Sequence, residues 1–79
     1  MENTNHDCAL VSLFAMNLRQ RRLELSLSLE VLAERAGVHR TYIGMLERGE
    51  KNATLISIER IATALDVDAY TLLQRRDEG

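Results

Sequence analysis

The stretch Ser28–Gly49, SLEVLAERAGVHRTYIGMLERG, decides the fold of this 79-residue chain. It opens on Ser28, whose side-chain oxygen suits a helix N-cap, and Glu30 follows in the first turn, where a negative charge favours the helix dipole. Leu32, Ala33 and Ala36 then share one helical face. Gly37 stands where a helix ends in the left-handed conformation that only glycine takes cheaply. The segment is short, about eight residues. One or two residues later a second helix starts near His39 or Arg40, with His39 a candidate cap. Ile43, Leu46 and Glu47 lie on its inner side and Gly49 stops it.

Helical spacing continues on both sides, and strand-like alternation is absent. Upstream, Leu10, Phe14 and Leu18 recur at i, i+4 and i+8, predicting a helix from about Asp7 to Leu25 with this stripe buried. Arg22 is the next member of that stripe, a charge where an apolar residue is expected. Downstream, Thr54 caps a fourth helix carrying Ile58, Ile61, Ala62 and Leu65. Asp68 caps a last one from Ala69 to about Arg75, with Leu72 and Leu73 apolar. The expectation is an all-α, five-helix domain filling residues 1–79, with a helix-turn-helix unit over about 28–48.

Composition sets outer bounds. A chain this short buries only somewhat more than ~60% of its unfolded surface, so a partner subunit is an expected source of stability. The single cysteine, Cys8, excludes an internal disulfide and fits a reducing cytoplasm. No apolar run reaches the roughly 20 residues of a membrane span, and the start MENTNHD has no signal-peptide character. The net charge of −2 is not a basic footprint, yet Arg19, Arg21, Arg22, Arg35, Arg40, Arg48 and Lys51 precede a terminus holding Asp66, Asp68, Asp77 and Glu78. One basic face or an ordinary solvated surface would both read this way. There is no glycine-rich phosphate loop and no zinc pattern. His6 and Cys8 are two residues apart near the terminus and make no metal site, so neither enzyme nor cofactor is expected.

The segments LRQRRLELSLS, SLEVLAERAGVHRTYIGMLERGEKNATL and SIERIATALDV, in that order between Leu18 and Leu73, resemble the Cro/CI (XRE)-type helix-turn-helix family. The short size and the RTYI core followed by Leu46-Glu47-Arg48 look most like the controller proteins of bacterial restriction–modification systems; phage-type repressors and antitoxins share the same block. The resemblance implies a lambda-repressor-like fold and a cytoplasmic, bacterial, sequence-specific transcription regulator. Its partners would be a pseudo-palindromic operator in double-stranded DNA, a second copy of itself and RNA polymerase. Arg40, Thr41 and Tyr42, at the start of the recognition helix, would face base edges, with Arg40 suited to a guanine. Ser28, Arg48, Lys51 and Asn52 would meet the backbone or an outer base. For Arg48 and Lys51 the alternative is solvated loop charge, and for Tyr42 a packing role. Dimerisation would fall to helices over about 54–76, through Ile56, Val67, Leu72 and Leu73. A protein–protein adaptor on the same fold is the rival reading.

Arg22 and Glu47 both sit on apolar stripes, where opposite charges are sustainable only as a pair. They are expected to clamp the pose of the recognition helix, as members of the family commonly do. Gly44, inside that helix, costs roughly 1 kcal/mol relative to alanine and is expected to allow a close approach to DNA or to the helix that starts at Ser28, or to be tolerated strain. The chain departs from the family at Leu29, where a phosphate-gripping glutamine is usual. Ser26 and Ala53 stand for a common glycine and proline, changing only the stiffness of their turns.

Overall fold

The computed structural model describes residues 8–75. They form α1 (Ala9–Glu24), α2 (Leu29–Ala36), α3 (Arg40–Glu47), α4 (Leu55–Ala64) and a 3-10 helix at Ala69–Leu73. The helix starts follow side-chain chemistry. Ser28 Oγ accepts from the Val31 amide at 3.0 Å, and Thr54 Oγ1 from the Ser57 amide at 3.1 Å. His39 Nδ1 accepts from the Thr41 amide at 3.2 Å, so this imidazole caps α3. Gly37 ends α2 at φ 72°, turning the chain within three residues into α3.

The core forms where the helices converge. Leu18 of α1, Leu32 of α2, Ile43 and Leu46 of α3, Ile61 of α4, Leu65 and Leu72 are each at most 1% exposed. α2 packs on α3 and α4, while α1 packs on α3 and on the 3-10 helix, which closes the core from the chain end. Asn17 secures that closure. Fully buried beside Leu18, its Nδ2 donates to the carbonyls of Leu72 at 2.9 Å and Gln74 at 2.8 Å.

Three expectations are corrected. The first helix begins at Ala9, not Asp7, which lies outside the described residues, and Leu10 is half-exposed: the apolar stripe runs past the end of what α1 packs against. The last helix is a five-residue 3-10 helix, so α-helices number four among the described residues. Asp68 makes no capping bond, Gln74 is already extended, and the bonds at its two ends, Thr71 N–H to Asp68 and Gln74 N–H to Thr71, span three residues. Finally, Leu72 belongs to the monomer core at 1% exposure and offers no surface to a partner. Val67 and Leu73 are half-buried against the same core, and Ile56 is 67% exposed.

Ser26 does more than stiffen its turn. It adopts φ 57°, the left-handed region that disfavours a Cβ, and so folds the α1–α2 turn back on itself. The reversed chain carries the Leu27 carbonyl to the guanidinium of Arg22 at 2.8 Å.

Candidate nucleic-acid interface

α3 is anchored on one side and bare on the other. Ile43 and Leu46 are buried, whereas Arg40 and Thr41 in its first turn are exposed side by side. Tyr42 is different. Its ring is half-buried against the core, and its hydroxyl donates to Ser57 Oγ at 3.1 Å. Ser57 Oγ also accepts from Thr54 Oγ1 at 2.9 Å, so Tyr42 ties α3 to the start of α4. Of the three side chains at the start of α3, two project outward and the third is held inward.

The pose of α3 is set from α1. Arg22 Nε meets Glu47 Oε2 at 2.6 Å, and Arg22 Nη2 meets Oε1 at 3.0 Å, a two-pronged pair with side chains only 11% and 7% exposed. The third donor group goes to the Leu27 carbonyl, so this guanidinium is satisfied where water is largely excluded. The Glu47 hydrogen bond raises the Arg22 pKa further above its ordinary value. The arrangement commits both charged groups to each other and to Leu27. It is a brace between α1 and the end of α3.

The remaining site residues sit around α3. Ser28 is exposed at the start of α2, its Oγ engaged as a cap. Leu29 turns into the core instead of presenting an amide to solvent. Lys51 and Asn52 are exposed in the loop after α3. Arg48, the residue after Glu47, is bound by a carboxylate of its own: Nε to Glu50 Oε2 at 2.9 Å and Nη2 to Oε1 at 3.2 Å, both side chains more than half exposed. That pairing raises the Arg48 pKa and lowers that of Glu50. Its guanidinium lies back over α3, with Nη1 only 3.2 Å from where a Cβ on Gly44 would be. The neighbour nearest that Cβ position is thus the flexible end of Arg48, not α2.

Sequence reading missed Glu50 and Asn17. Asn17 sits between Phe14 and Leu18 on the buried stripe, a polar residue at a core position, and that signal could have marked it. Glu50 stands two residues from Arg48 in an ordinary polar loop, which marks nothing. Among the described residues no cluster of His, Cys, Asp and Glu is placed to hold a metal, and no helix is long and apolar enough to cross a membrane. His6 lies outside the described residues, and Cys8 is exposed at the start of α1.

Comparison with known proteins agrees with this geometry. A helix-turn-helix family model matches residues 18–72. The control protein C.SmaI of Serratia marcescens is 45% identical over 64 residues, covering 81% of this chain and 76% of that protein. The control protein C.BamHI of Bacillus amyloliquefaciens is 47% identical over 62 residues, covering 77% and 76%. The crystal structure of the restriction-modification controller protein C.AhdI from Aeromonas hydrophila superposes with a TM-score of 0.79 at 40% identity, covering 82% of this chain and 98% of that one. The chain belongs to the XRE-type helix-turn-helix family of DNA-binding transcription regulators, and its relatives include restriction–modification controller proteins.

Proposed function

We propose that this chain is a controller-type transcription regulator that binds an operator as a homodimer and governs its own operon and a restriction gene. The carrying observation is the contrast within α3: Arg40 and Thr41 exposed in its first turn, Ile43 and Leu46 buried behind them, and Arg22 bracing its far end through Glu47. A helix so held enters the major groove with its first turn at the base edges, where Arg40 reads a guanine O6 and N7 and Thr41 a neighbouring base. Ser28, Arg48, Lys51 and Asn52 flank it toward the phosphates. Tyr42 supports this surface from inside through Ser57. The function involves no catalytic step and is exerted in the bacterial cytoplasm.

One such module buries only ~600–1,000 Å² on DNA, too little for tight binding alone. A two-fold dimer reads two half-sites about one helical turn apart. Ile56, exposed at 67%, with Leu55 beside it at 81%, offers apolar surface for it at the start of α4. RNA polymerase becomes a partner where the operator lies beside a promoter.

The test is selection from random duplex DNA with the purified protein, followed by sequencing. A palindromic motif with half-sites roughly ten base pairs apart is the expected product. Enrichment of no motif by correctly folded dimer at low salt would transfer the fold to a protein–protein adaptor role.

A further inference from the structure

Three α-helices open on a side-chain cap, and they do not use the same chemistry. α2 and α4 start on hydroxyls, Ser28 and Thr54, whereas α3 starts on the imidazole of His39. Its Nδ1 accepts from the Thr41 amide at 3.2 Å, and an accepting ring nitrogen carries no proton. The proton therefore sits on Nε2. The two nitrogens of the ring diverge, so Nε2–H points away from the first-turn amides and out from the start of α3. His39 is exposed there beside Arg40 and Thr41, and Nε2 has no partner among the described residues. A hydroxyl would cap α3 equally well; the imidazole adds a second, outward donor. Glu30 and Glu34 of α2, both exposed, line one depression with His39 and Arg40. Their charge opposes a phosphate at this point and leaves a neutral base edge as the acceptor.

Resting on the DNA-binding function above, we propose that His39 both caps the recognition helix and reads a base: its Nε2–H donates to an acceptor on the base next to the one read by Arg40. In the major groove guanine offers O6 and N7, adenine N7 and thymine O4, whereas cytosine offers only an amino donor. The ring thus admits the first three bases and refuses cytosine. Because the cap fixes both tautomer and ring position, the donor is in place before DNA arrives, and docking need not order this side chain.

The experiment has two parts. Long-range proton–nitrogen NMR of the free wild-type protein at alkaline pH identifies the tautomer, with the proton expected on Nε2. Affinity is then measured for the selected operator, its single-base variants and a random duplex, with wild type and His39→Ser, a substitution that keeps a cap. Circular dichroism verifies the fold. In wild type, cytosine beside the base read by Arg40 should weaken binding roughly tenfold relative to the best base there. In His39→Ser that penalty should shrink to about twofold or less, with preferences at other positions and binding to random duplex nearly unchanged. A proton on Nδ1, an unchanged base profile, or an equal loss on operator and random duplex overturns the proposal and leaves DNA binding by the wild type standing. Wild-type protein that binds neither duplex at low salt overturns the DNA-binding function itself, and this proposal with it.

Discussion

Glu47 and Arg48 are neighbours in the chain, and each belongs to a two-pronged arginine–glutamate pair, yet the two pairs are opposite in kind. Arg22 and Glu47 join helices 25 residues apart in sequence, with side chains 11% and 7% exposed and the third donor group bound to Leu27. Arg48 and Glu50 are two residues apart in a loop, 57% and 51% exposed. The chemistry is the same, and only the surroundings differ. Where water is excluded, either partner alone would be an uncompensated charge, and the pair becomes obligatory. Where water is present, either partner can be traded for solvent or another anion at little cost. One peptide bond separates a fixture from an exchangeable contact.

The strongest way to break this contrast is at the buried pair. Glu47→Gln keeps the shape and strands the Arg22 guanidinium, and should destabilise the domain by about 3–5 kcal/mol, a large part of the ~5–15 kcal/mol that holds a small domain folded. Urea titration followed by circular dichroism measures it. A loss below about 1 kcal/mol would place this pair with the exposed one. Next in size is Arg40, a third arginine, exposed, with no carboxylate partner among the described residues. Arg40→Ala should leave thermal unfolding unchanged and reduce discrimination at one base position per half-site by ~1–3 kcal/mol, measured by binding to single-base operator variants. Equal weakening on operator and random duplex would remove its base-reading role.

A smaller effect sharpens the buried side. Ser26 holds a left-handed φ of 57° while presenting Leu27 to Arg22. Ser26→Gly relieves that backbone and should raise stability by less than about 1 kcal/mol, because glycine's greater freedom when unfolded offsets part of the gain. A fall in the unfolding midpoint would show that the serine side chain, not the backbone, holds the turn. The smallest effect tests the exposed side. Arg48→Ala should shift the thermal midpoint by no more than about 2 °C. The Glu50 carboxyl, held below the ordinary glutamate value by Arg48, keeps its charge and the pair at neutral pH. The pair opens as pH falls through that lowered value. In Arg48→Ala the midpoint should rise to the ordinary value, as followed by carbon NMR of the carboxyl, and an unmoved midpoint would break the pairing.

Much of this was legible in the residues. Ser28, Gly37 and Thr54 announce helix ends because capping is local chemistry, carried by one side chain and the next three amides. The stripe that includes Arg22 shows a charge in an apolar place, and Glu47 shows its complement. Leu10 shows the limit. Periodicity defines a face but not how far the neighbouring helices extend along it, so half of that side chain stays in solvent. Leu72 reads as a subunit contact because apolarity does not distinguish the inside of a monomer from the join between two, yet it is 1% exposed in the monomer core. Glu50 escaped notice because an exposed carboxylate in a loop has no pattern to violate. The 3-10 character of Ala69–Leu73 depends on how a short segment docks on α1, a property of the assembled molecule.

Asn17 carries a consequence for how the chain is made. It lies in α1, which leaves the ribosome before the rest of this domain, and the carbonyls it grips belong to Leu72 and Gln74, 55 and 57 residues later. The α1 helix as a whole likewise packs on the 3-10 helix, whose Leu72 shares the core with Leu18. The amino-terminal half thus has no native state of its own during synthesis, and a nascent chain halted short of Leu72 should stay open to proteases. Emergence of the segment through Gln74, more than the folding of any one helix, commits the domain to its shape.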